Sequence, residues 1–186
     1  MPSRRRAERP PPTVSVLRLG HRAGRDPRLT THLALAARAL GAQRLYLHPP
    51  DEALAERVHR VAKTWGGPFE VVGVSDWHRT VREFGGPVVH LTMYGEPLEA
   101  RLPAMRGATE LLLVVGGAKV PADIYRRSTW NVAVGPQPHS EVAALAVVLD
   151  RLLGTPGPGA WKGAERVVVP QVRGKKVRSG RRRSAA

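Results

Sequence analysis

The chain has 186 residues, 30 lysines and arginines against 15 acidic residues for a formal charge of +15, and no cysteine. The length argues for one domain with tails, enough chain to bury a core without staples, and the missing cysteine excludes disulfides, thiolate metal sites and cysteine nucleophiles. No apolar run follows the arginines of MPSRRRAERPPP, and the longest such run, 142–149, is far short of the roughly 20 residues of a membrane span, so a cytoplasmic protein is expected.

Strand and helix patterns then alternate, which predicts an α/β fold with a mainly parallel sheet flanked by helices. Residues 14–19 read as a strand ending at Gly20, followed by the loop GHRAGR and a helix opened by Asp26 as N-cap with Pro27 at its first position. Leu29, Leu33, Ala36 and Leu40 recur along that helix, and Gly41 ends it. A second strand at 44–48 stops at Pro49-Pro50; Asp51 caps a helix that runs to Trp65 and closes at Gly66-Gly67. A third strand spans 69–74, and a short helix over 76–84 ends at another Gly-Gly pair. A fourth strand at 87–93 delivers Thr92, Tyr94 and Gly95, with a helical or irregular segment through Met105. Residues 110–115 are nearly all apolar, as in a strand buried on both faces. A sixth strand covers 130–134, and 141–153 is a helix apolar almost all round, which predicts burial. TPGPG then breaks regular structure, and a short strand near 167–169 is the last element expected; no internal repeat is present.

The charge divides the chain into three parts. A basic arm, 1–12, carries +3 and a basic extension, 155–186, carries +8, which leaves +4 on the domain between them, 13–154. Two cationic arms on a nearly balanced body point to a polyanion, most simply a nucleic acid; the plain alternative, for 181–183 above all, is a solvated tail without regular structure. Two Phe, three Tyr and four Trp are too few for a stacking platform, so recognition through shape and backbone is expected.

Three strands of the second half each open onto a glycine- or proline-rich loop, the last leading into a helix N-terminus. Ligands of open α/β sheets bind at the carboxyl ends of strands, and glycine there lets backbone approach a ligand closely, so these loops together predict a cofactor cup. G-x-G-x-x-G after the first strand, G-x-x-x-x-G-K-[ST] and G-x-S-x-G are all absent, and the seven histidines have no ligand spacing, so no metal is expected.

The segments RLGHRAGRDPRLTTHLALAARALGA, HLTMYG, VVGGAKVP and NVAVGPQPHSEVAALAVVLDRL, with WKGAERVVVP and RGKKV behind them, resemble the archaeal tRNA (cytidine-2′-O)-methyltransferases that act in the TΨC loop. The resemblance runs through residues 14–178 and implies a SPOUT methyltransferase fold with a C-terminal trefoil knot, S-adenosylmethionine (AdoMet) as cofactor, tRNA as substrate and a homodimer. It also implies a cofactor pocket of Leu91, Thr92, Gly116, Gly117, Ala118, Lys119, Val120, Val134, Gly135, Gln137, Pro138, His139 and Leu145, with Leu91 and Leu145 as apolar walls.

Related 2′-O-methylating enzymes carry an Asn and, six residues on, an Arg in the helix after the first strand; His32 and Arg38 stand at that spacing. The resemblance thus makes Arg38 the expected stabiliser of a developing alkoxide, with a guanidinium too basic to serve as the proton acceptor. Arg18, His21, Arg22 and Arg25 are expected to grip RNA phosphates. A SPOUT enzyme that methylates a base, a non-catalytic RNA-binding protein on the same scaffold and a Rossmann-type enzyme are the alternative readings.

Overall fold

The structure, a computed structural model, describes residues 10–25, 27–117, 120–157 and 160–180. Six strands form one sheet: β1 (Thr13–Leu19), β2 (Arg44–Leu47), β3 (Glu70–Gly73), β4 (Val88–Pro97), β5 (Glu110–Gly116) and β6 (Trp130–Ala133). Their order is β3-β2-β1-β5-β4-β6, and every pairing is parallel. The helices are α1 (Pro27–Ala39), α2 (Glu52–Trp65), α3 (Trp77–Glu83), α4 (Leu98–Gly107), α5 (Asp123–Arg127) and α6 (Glu141–Leu153). An antiparallel hairpin of β7 (Arg166–Val169) and β8 (Lys176–Ser179) follows.

The sequence dictates much of this locally. β1 and β5 lie side by side in the sheet and are buried along almost their whole length, which is why TVSVLRL and ELLLVVG hold so few polar residues. Asp51 accepts from the Leu54 N–H at 2.8 Å and Asp76 from the Arg79 N–H at 3.1 Å, so each caps the helix expected behind it. The larger core fills the face under α1, α2, α4 and α6, and a smaller one lies under α3 and α5. Asp26, the arm at 1–9 and the tail at 181–186 lie outside the described residues.

Three features depart from expectation. α5 and β8 were not foreseen, since five residues behind a proline are too few for a helical period and KVRS has no apolar alternation. α6 buries Ala144, Leu145, Val148, Leu149 and Leu152 but leaves Ala143 and Val147 exposed, so its apolar circumference is only partly covered within the chain. β4 runs on to Pro97 because it bulges: Leu91 and Glu96 both register with Val132 of β6, and residues 92–95 loop out between them. Gly95 permits this, since a Cβ there would fall 2.5 Å from the Asn131 carbonyl carbon.

Candidate active site

The β4 bulge, the loop after β5 and the loop before α6 converge at the carboxyl ends of the strands around a cavity of about 580 Å3. A larger one, about 670 Å3, lies at the opposite, amino-terminal ends beside Thr13, Arg44, Glu70 and Glu110. Open α/β sheets place ligands at the carboxyl ends, so the smaller cavity is the candidate.

Of the expected cofactor residues, Leu91, Thr92, Gly116, Gly117, Val120, Pro138 and His139 line this cup. Val134, Gly135, Gln137 and the buried Leu145 are not among its lining residues, and Ala118 and Lys119 lie outside the described residues. Val120 packs where a side chain at residue 116 would stand, which requires Gly116. Ser140 caps α6 by accepting from the Val142 N–H at 3.2 Å, and Glu141 follows in its first turn, where the helix dipole favours a carboxylate.

Tyr94, expected at the end of the fourth strand, also lines the cup, and several lining residues escaped the sequence reading: His90, Met93, Tyr125 and Glu141. His90 is 1% exposed, with Nδ1 3.0 Å from Asn131 Oδ1 and its ring edge-on to Tyr125 at 4.6 Å. Asn131 Nδ2 donates to the Tyr125 carbonyl at 2.9 Å, so Oδ1 is the acceptor and His90 carries its proton on Nδ1. Burial, partly opposed by the Asn131 bond, holds the imidazole pKa below its ordinary value and favours the neutral ring. Thr92 Oγ1 and the Tyr125 hydroxyl share a hydrogen bond of 3.1 Å at the same wall.

The arginines and histidines assigned to RNA and catalysis separate. Arg22 lines the rim and is exposed, as is Arg25. Arg18 lines the cup but is buried, its Nη1 donating to Glu141 Oε2 at 2.9 Å, which corrects its expected place on RNA phosphate. His21 is likewise buried, with Nδ1 2.9 Å from Thr30 Oγ1 and Nε2 3.0 Å from Asp51 Oδ2; it ties the loop after β1 to α1 and α2. The Leu54 N–H and then His21 hold the Asp51 carboxyl below its ordinary pKa.

Arg38 also departs from its expected place. α1 starts at the cup edge of the sheet and runs to the opposite edge, so a residue in its last turn stands on the order of 15 Å along the axis from its start. Arg38 Nη2 donates to the Gly66 carbonyl, and its guanidinium lies 5.6 Å from the centre of the Trp161 ring. His32 is exposed on α1 and is not among the lining residues of the cup.

Residues 65–178 match the model of the tRNA ribose 2′-O-methyltransferase family, aTrm56. A tRNA (cytidine(56)-2′-O)-methyltransferase of Haloarcula marismortui is 51% identical over 170 residues, which are 89% of this chain and 94% of that protein. This chain belongs to the aTrm56 family. A solved RNA 2′-O ribose methyltransferase superposes with a TM-score of 0.59 at 18% identity, covering 82% of this aTrm56 chain and 61% of the longer one. The SpoU methyltransferase AviRb from Streptomyces viridochromogenes, in complex with AdoMet, gives 0.53 at 15% identity, covering 78% and 58%. At those identities the likeness establishes the fold, and the aTrm56 chain therefore has the SpoU/TrmH methyltransferase fold.

Proposed function

We infer that this chain uses AdoMet to methylate the ribose 2′-hydroxyl of cytidine 56 in the TΨC loop of tRNA. The observation that carries the reading is that half of its residues are shared, over nearly the full length of both chains, with an enzyme named for that reaction.

The cup suits the cofactor on its own chemistry. Its volume of about 580 Å3 is in the range of sites that enclose a small molecule. Gly117 leaves backbone open to a ligand, Leu91 and Ala144 supply apolar wall, and two buried polar atoms, Arg18 Nε and Glu141 Oε1, have no hydrogen-bond partner among the described residues. AdoMet supplies an electrophilic methyl group on a cationic sulfur. The protein's part is to hold donor and ribose in line, worth several kcal/mol by orientation alone, and to keep positive charge near the oxygen as its proton leaves. Arg22, exposed at the rim, and Arg25, exposed in the same loop, are the cations we assign to the RNA strand; Tyr94, 76% exposed, lines the cup with Arg22 and offers a face for a base.

The trefoil knot belongs to this reading, through the loops after β5 and before α6 that frame the cup. So does a homodimer in the cytoplasm: Leu29 on α1 and Val147 on α6 are each 38% exposed, and the two helices are neighbours. No helix among the described residues is long and apolar enough to cross a membrane.

The test is incubation of purified protein with labelled AdoMet and unmodified tRNA, followed by nuclease digestion. Label in 2′-O-methylcytidine at position 56 is expected. Label on a base, or none, overturns the reading.

A further inference from the structure

A buried ion pair in the wall of the cup is left half-finished by the protein. Arg18, 1% exposed, meets Glu141 through a single hydrogen bond of 2.9 Å, while Arg18 Nε and Glu141 Oε1 are both shielded from water and have no hydrogen-bond partner among the described residues. A buried ion pair contributes to stability only when its remaining donors and acceptors are satisfied, so packing gives no account of it. Both side chains line the cup beside Leu91, His90 and Gly117. A side chain at residue 117 would stand 3.9 Å from Glu141 Oε2, so only a glycine separates the carboxylate from the loop after β5.

The pair is neutral as a whole, yet its two ends differ. Glu141 is fixed by the capped first turn of α6 and clamped by Arg18, so its negative charge is held in place in a weakly solvated wall. Among the described residues the other ionisable groups lining the cup are His90, whose neutral form burial favours, the tyrosines Tyr94 and Tyr125, and Arg22 and His139, which are exposed to solvent. The proposed reaction breaks the bond from sulfur to methyl carbon and forms one from that carbon to the ribose oxygen. The bonding pair stays on sulfur, which turns from cation to neutral thioether, and the hydroxyl proton leaves to water. Charge on sulfur is therefore the main difference between donor and product that the wall could sense.

We propose that Glu141, clamped by Arg18, is the charge sensor of the cup, making it retain the sulfonium donor and release the thioether product. This rests on the AdoMet reading above and adds to it the means by which spent cofactor is discriminated. Replacing Glu141 by Gln keeps shape and hydrogen-bonding reach but leaves the Arg18 charge uncompensated beside a cationic ligand.

The experiment is calorimetric titration of the full chain with AdoMet, with S-adenosylhomocysteine and with an analogue bearing a protonated amine in place of the sulfonium. Wild type is expected to hold AdoMet and the amine analogue more tightly than the thioether. Glu141→Gln is expected to lose about ten-fold or more for the two cationic ligands and less than about three-fold for the thioether. Glu141→Asp, which keeps the charge, retains the order of preference. Equal losses for all three ligands would place the carboxylate on the amino-acid end they share and overturn the sensor. An amine analogue that wild type binds no better than the thioether overturns it too, with no variant needed. Wild type that binds none of the three refutes the cofactor reading itself, a different failure.

Discussion

Arg38 illustrates how far a spacing rule reaches. Six residues along an α-helix amount to a rotation of about 240° beyond one full turn, so His32 and Arg38 share no face, and the structure exposes one and buries the other. The signal that could have corrected the assignment was the position of Arg38 just before the stop at Gly41, which puts it at the end of α1 remote from the loops. There its guanidinium, its pKa lowered by burial, joins the end of α2 at Gly66 to Trp161 of the C-terminal segment. Arg38→Ala removes a charge-assisted bond to a carbonyl and a cation–π contact, together about 2–3 kcal/mol, and should lower the melting temperature by several degrees while AdoMet affinity stays within two-fold. Thermal unfolding and titration decide it; an unchanged melting point with lost turnover would return Arg38 to the chemistry. His90 carries a second consequence. Its folded pKa lies below the ordinary 6.5 because burial disfavours the cation. As pH falls through that value the unfolded chain takes up a proton that the folded chain resists, so stability declines. His90→Gln should flatten the slope of unfolding free energy between pH 7 and pH 5, measured by denaturant titration; an unaltered slope would mean that other groups set it.

At the scale of elements, the strands and capped helices were legible because their signals are local. An apolar run, an Asp before a helical period and a glycine with positive φ at its end act within a few residues. Gly41, Gly66 and Gly154 all have positive φ where a stop was expected. What stayed hidden depends on partners distant in sequence. The β4 bulge exists because two residues of one strand register with a single residue of another, and HLTMYG contains no trace of Val132. For the same reason Glu141 read only as the first residue of a helix: its partner, Arg18, is 123 positions away. The cup was therefore foreseen as a set of loops with Thr92 and His139, whereas His90, Tyr125 and the pairing of Arg18 with Glu141 were not. The half-covered apolar face of α6 is a further case, since burial depends on what packs alongside and composition reports only that packing is favourable.

On the scale of the whole molecule, the basic hairpin and the site occupy opposite ends. The cup lies at the carboxyl edge of the sheet, whereas the C-terminal segment docks at the far edge: the Gly67 N–H donates to the Lys162 carbonyl at 3.0 Å, and Gly66 lies against Ala164. The hairpin beyond it exposes Arg173, Lys175, Lys176 and Arg178. Cations so placed cannot reach a ribose at the cup of the same chain, yet a tRNA is long enough to touch both ends of a domain this size, and phosphate neutralisation acts wherever the backbone runs. The hairpin is then expected to add to affinity without adding to discrimination at cytidine 56. Replacing these four residues by Gln should weaken tRNA binding most at low salt and reduce the slope of log Kd against log salt by up to about 3. AdoMet affinity should be unchanged, because none of the four lines the cup. Filter binding across a salt series measures the slope. If it does not move, the hairpin makes no phosphate contact, and the exposed Arg22 and Arg25 of the loop after β1 become the cations to test for the electrostatic part of binding.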